Sequence, residues 1–165
     1  MTALDQPRDG VTADQFTGID RAVARSEITE VLHTYARIAI EQADFAAMSR
    51  LFHEDGQFVL PDQTALPCTE IHRVVNGNEP TFIRHHITTI DIEFTSGTTA
   101  ETDSYFVAFT DLAAPDHWGR WIDKFKRTSD GSWLLTQKAP IIEGFAPTGW
   151  VGTVLLPSLA MDAEV

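Results

Sequence analysis

From residue 26 onward, apolar side chains return every third or fourth position. Ile28, Val31, Leu32, Tyr35, Ile38 and Ala39 fall on one side of a helical projection. Ser26 is placed to cap this helix, and the helical pattern as a whole reaches back to about residue 13, in two or three pieces. "EQAD" interrupts it, and Asp44 can start a second helix carrying Phe45, Met48, Leu51 and Phe52. "HEDG" ends that helix, with Gly56 suited to a left-handed position. A short strand, "QFVLPD", follows. "CTEIHRVVNGNEP" suits a short helix closed at Asn76-Gly77.

The period then changes to two. "HHITTIDIEFT", "TAETDSYFVAFTDL", "HWGRWIDKFKRT" and "SWLLTQKAPIIEG" read as four strands. "SGTT" and "SDGS" supply hairpin turns and "AAPD" joins the middle pair. Helices first and a meander of antiparallel strands afterwards predict an α+β fold, a curved sheet with helices packed on one face. The last stretch, "FAPTGWVGTVLLPSLAMDAEV", is apolar but broken by Pro147, Gly149, Gly152 and Pro157. It is expected to cover a pocket mouth or a subunit interface. The domain expectation is therefore a flexible arm over 1–12, one domain over 13–144 and an apolar tail over 145–165.

Strand phase locates the candidate chemistry. In "GRWIDKFKR" the aromatic face carries Trp121, Asp123 and Phe125, so Asp123 is expected to point inward. A buried carboxylate needs a partner or a proton. In the histidine strand, His86 shares a face with Thr88, Ile90, Ile92 and Phe94, and His85 with Asp91 and Glu93. The more apolar set makes His86 the inward residue and His85 the outward one. Glu41, three residues after Ile38 near the end of the long helix, could hydrogen-bond an inward imidazole and raise its basicity.

Composition narrows the class. The 165 residues fit one domain, and a net charge of -12 argues against nucleic acid and anionic membrane partners. No stretch approaches a membrane span and no export signal is visible, so a cytoplasmic location is expected. The single cysteine, Cys68, excludes an internal disulfide and reads as a buried structural thiol. The histidines lack metal-ligand spacing, and no Gly-x-Ser-x-Gly nucleophile motif occurs.

The order "YARIAIEQADFAAMSRLFHEDGQFVL", "RHHITTI" and "GRWIDKFKRTSDGSWLLTQK" resembles the SnoaL-like branch of the nuclear transport factor two-like superfamily, over roughly residues 25 to 142. The resemblance implies a cone-shaped α+β barrel with an apolar pocket, often in homodimers or homotrimers. In relatives such as scytalone dehydratase, bile-acid dehydratases and dehydrochlorinases, a histidine general base is supported by a helix-end acid. By position, His86 matches the base, Glu41 the acid, Lys138 a basic residue that is often Arg, and Tyr35 the helix tyrosine. Glu41 stands where Asp is usual. Trp121, Phe125, Phe58, Ile90 and Phe106 are expected to line the pocket.

The expected activity is a cofactor-independent, metal-free elimination such as dehydration, or a proton-shift isomerisation, on a hydrophobic cyclic or aromatic small molecule. Tyr35, Asp123 or Lys138 would polarise a carbonyl or assist the leaving group. Polyketide-type cyclisation, retro-aldol cleavage, epoxide hydrolysis and a non-catalytic binding module are the alternatives. An epoxide-opening Asp–Arg–Asp network is disfavoured, because phase sets Arg120 and Asp123 on opposite faces.

Overall fold

The computed structural model describes residues 16–38, 44–74 and 79–155. Helix α1 spans Gly18–Ile38. Its start is set by Thr17 and Asp20. The Thr17 amide donates to Asp20 Oδ2 at 2.9 Å, and the Asp20 amide donates to Thr17 Oγ1 at 3.2 Å. Ser26 therefore lies inside one continuous helix and does not cap it. Ala24, Ile28, Leu32, Tyr35 and Ala36 form its buried stripe. Asp44 does cap α2 (Phe45–Ser49), accepting from the Ala47 amide at 2.8 Å.

Strands β1 (Phe52–Val59) and β2 (Ala65–Pro67) come next, followed by a 3-10 segment over Cys68–Val74. "HEDG" thus belongs to β1 rather than to a helix end. A Cβ on Gly56 would come within 2.7 Å of the Leu135 carbonyl, so glycine there serves a close strand approach. Asn76-Gly77 lies outside the described residues.

Four long strands follow: β3 (Ile83–Phe94), β4 (Thr99–Thr110), β5 (His117–Arg127) and β6 (Trp133–Phe145). The sheet order is β2-β1-β6-β5-β4-β3. All neighbours are antiparallel except β1 and β6, which pair in parallel, so the curved sheet is mixed rather than wholly antiparallel and it is not closed. β3 forms one edge. Helix α1 packs across the concave face, and Arg25 of α1 donates to the Ile92 carbonyl on that edge at 2.9 Å. Ile28, Leu32, Phe52, Phe58, Phe125, Trp133 and Leu135 fill the core between helix and sheet. Among the described residues, no helix is long and apolar enough to cross a membrane.

Two bulges decide which side chains enter this core. Against β4, β3 pairs Ile87 with Phe106 but Thr89 with Tyr105, which leaves Thr88 as an extra residue. Against β5, β6 pairs Leu135 with Phe125 but Gln137 with Lys124, which makes Thr136 extra. Each extra residue reverses the in–out alternation along its strand.

Candidate active site

The first bulge settles the histidine doublet. Beyond Thr88, Ile90, Ile92 and Phe94 pack against the core; before it, the inward positions are Ile83 and Ile87, and with them His85. His85 sits 5.4 Å from the Trp121 ring and 5.7 Å from the Phe106 ring. Its Nδ1 is buried without a hydrogen-bond partner among the described residues. His86 is exposed, on the outer face, with its ring 5.3 Å from Phe109. The expectation that His86 points inward is therefore corrected. Unbroken alternation from Ile90 back to His86 fails because Thr88 shifts the phase.

His85 meets a second histidine. It pairs across the strands with Ala108, and Ala108 pairs on its other side with His117. The two imidazole centroids lie 5.8 Å apart at an interplanar angle of 76°. His117 is buried and packs against Phe106 and Trp150. Its Nδ1 donates to Asp116 Oδ1 at 2.8 Å, and the neutral ring in this tautomer carries its lone pair on Nε2. The sequence reading missed this dyad. His117 shares the strand phase of Trp121 and Asp123, and that shared phase was the available signal.

Burial favours the neutral form of both rings. Burial, then His117, Lys138 and His86, pull His85 from 6.5 down to about 3. Burial also lowers His117, although the Asp116 hydrogen bond and charge oppose it. For Asp116, burial pushes the carboxyl up. Hydrogen bonds from His117, Trp150, Thr110 and Val151 more than offset this and hold it below its usual value.

A buried ion pair lies behind this aromatic cluster. Asp123 and Lys138 face each other across β5 and β6, with Nζ donating to Oδ2 at 3.0 Å. Asp123 Oδ1 accepts from the Ala139 amide at 3.2 Å. Lys138 Nζ sits 3.5 Å from the Trp121 ring centroid and 4.4 Å from that of Tyr35. The Thr136 bulge turns Lys138 inward, because alternation from Trp133 and Leu135 would otherwise send it out. Burial raises the Asp123 carboxyl and lowers the Lys138 amine. Burial and the Asp123 charge raise the Tyr35 phenol.

Of the residues named from sequence, Tyr35, Asp123, Lys138, Trp121 and Phe106 lie in this neighbourhood. Tyr35 is 5.7 Å from Trp121, and Phe106 stacks on Trp121 at 5.2 Å. Phe58, Phe125 and Ile90 belong to the surrounding core, with no ring contact to either histidine among those described. Glu41 lies outside the described residues. Arg120 faces outward, held by Asp103 and Glu143, on the opposite side of β5 from Asp123.

The arrangement can move protons. A carboxylate fixes one imidazole, a second imidazole stands beside it, and the rings of Phe106, Trp121 and Trp150 flank the pair. Among the described residues, no group of three or more potential ligands could hold a metal.

The architecture recurs in solved structures. A protein described as a scytalone dehydratase candidate from Novosphingobium aromaticivorans matches with a TM-score of 0.63 at 18% identity, covering 76% of this chain and 88% of that one. Hexachlorocyclohexane dehydrochlorinase LinA-type3 from Novosphingobium barchaimii matches at 0.66 and 13% identity, over 79% and 93%. An NTF2-like protein with a cystatin-like fold from N. aromaticivorans matches at 0.60 and 20%, over 80% and 94%. At these identities the likeness concerns the fold. No curated protein matches the chain. The family model for the SnoaL-like domain matches residues 20–138, most of the chain and nearly all of its helix and sheet, and the chain belongs to the SnoaL-like domain family.

Proposed function

We propose that this protein is a cofactor-independent lyase or proton-shift isomerase acting on an uncharged, hydrophobic, cyclic small molecule that bears a carbonyl. The observation that carries the reading is the His85–His117–Asp116 constellation, enclosed by Phe106, Trp121 and Trp150. A family that includes dehydratases and dehydrochlorinases supports the same class.

In this reading His117 is the base. Asp116 holds its Nδ1–H, so the Nε2 lone pair is free to take a proton from the carbon next to the carbonyl. Asp116 then stabilises the imidazolium. His85, held neutral by its surroundings, polarises the carbonyl by hydrogen bonding and does not need to ionise. For elimination, electrons of the broken C–H bond form the double bond as hydroxide departs from the neighbouring carbon. His117 returns its proton to that leaving oxygen, and one water is released. For isomerisation, the proton returns to a different carbon. Lys138 and Asp123 neutralise each other beneath Trp121 and shape the floor rather than act on the substrate.

The test is a mass-spectrometric screen of hydroxy-carbonyl and enone carbocycles with the wild type and with His85→Ala, His86→Ala and His117→Ala, each checked by circular dichroism. The expected result is turnover by the wild type and by His86→Ala, with losses of roughly 10²–10⁴ in the other two. Turnover that survives His117→Ala in a folded protein would overturn the assignment of the base. Ligand binding without chemical change would favour a binding module.

A further inference from the structure

Asp116 has no exposed surface, and its oxygens are engaged on several sides. Oδ1 accepts from His117 Nδ1 at 2.8 Å and from the Val151 amide at 3.4 Å. Oδ2 accepts from the Trp150 amide at 2.6 Å and from Thr110 Oγ1 at 2.8 Å. The main chain is engaged as well. The Asp116 amide donates to the Ala108 carbonyl at 2.8 Å, and the Asp116 carbonyl accepts from the Ala146 amide at 2.7 Å. One residue thus grips the segment after β6 by both its backbone and its side chain.

That segment fits the carboxylate closely. At Gly149, an added Cβ would come within 2.6 Å of Asp116 Oδ2. Val151–Leu155 forms a single π-helical turn, and the amide of its first residue and that of Trp150 are among the donors aimed at Asp116. Trp150 is itself buried, with its ring 6.2 Å from that of His117.

We infer that Asp116 is a positioning residue and that the segment Ala146–Val151 is a working part of the acid–base site, because its seating orients the carboxylate that selects the His117 tautomer. The inference rests on the reading of His117 as the base. With the Trp150 and Val151 amides in place, the carboxylate stays ionised and turned to Nδ1, which must then carry the proton. Nε2 is left as the proton acceptor. Displace the segment and Asp116 loses two of its fixed donors. The imidazole can then place its proton on Nε2, where it blocks the reaction.

Nitrogen-detected NMR of histidine-labelled protein tests this directly. The wild type is expected to show His117 as the Nδ1–H tautomer with a hydrogen-bonded, slowly exchanging proton. Gly149→Ala and Asp116→Asn are expected to mix the tautomers and remove that signal while circular dichroism stays native. Turnover should fall roughly ten- to a hundredfold in kcat with KM little changed. A wild-type His117 already in the Nε2–H form, or a folded Gly149→Ala protein with an unchanged His117 spectrum, would overturn the inference.

Should the variants fail to fold, hydrogen exchange in the wild type gives the answer. The Trp150 and Val151 amides and the His117 Nδ1 proton should open together. Independent opening would sink the coupling. A tautomer that responds to Gly149→Ala in a protein whose turnover ignores His117 would leave the coupling standing and remove only the catalytic reading.

Discussion

His85 and His117 meet over one small side chain. They stand on strands two apart, both paired with Ala108, which is fully buried. Alanine leaves the space into which the two rings lean, to a centroid separation of 5.8 Å. A larger residue would stand between them. Ala108→Val is expected to abolish the nuclear Overhauser contact between the imidazoles and to lower turnover at least roughly tenfold. It should cost about 1–3 kcal/mol in urea unfolding, as overpacked cores do. Ala108→Gly should keep the contact.

The histidines make stability fall as pH falls. His85 binds a proton near 6.5 when unfolded but only near 3 when folded, so the unfolded chain takes up the proton first. Stability from this group is complete above about pH 6.5 and is lost as pH drops from there toward 3. Between pH 8 and 5 the loss from His85 amounts to at most about 2 kcal/mol. His117 is also lowered and acts in the same direction. Urea midpoints measured from pH 8 to 5 should decline, and His85→Gln should flatten the decline. A midpoint independent of pH in the wild type would contradict it.

The Asp123–Lys138 pair is asymmetric under mutation. Lys138→Met strands a buried carboxylate and should destabilise by about 3–5 kcal/mol. Asp123→Leu alone strands the amine at comparable cost. The double variant leaves neither charge and should recover most of the loss. Chemical denaturation of the four proteins forms a complete cycle, and additive single effects would show that the two residues do not depend on each other.

Much of the frame was legible from pattern alone. Period-two runs located β3 to β6 and both hairpin turns, because alternation follows directly from a sheet with one buried face. Phase also sent Asp123 inward. What escaped was anything that one extra residue can reverse. Thr88 and Thr136 are ordinary strand residues, and nothing in their chemistry marks them as bulges. Yet they decide that His85 rather than His86 faces the interior, and that Lys138 reaches Asp123. The parallel pairing of β1 with β6 escaped for a different reason, since contacts between distant segments leave no local period. The carboxylate partner of His117 is its own chain neighbour, outside the alternation that organises the strand.

The bulge at Thr88 gives the histidine doublet a meaning that neither residue has alone. Adjacent strand positions face opposite sides, so two histidines in succession present an imidazole to the interior whichever way the phase runs. A bulge placed before the doublet instead of after it would set His86 opposite Ala108 in place of His85 and leave the place occupied. A slip in that direction along this edge strand would therefore still leave an imidazole beside His117.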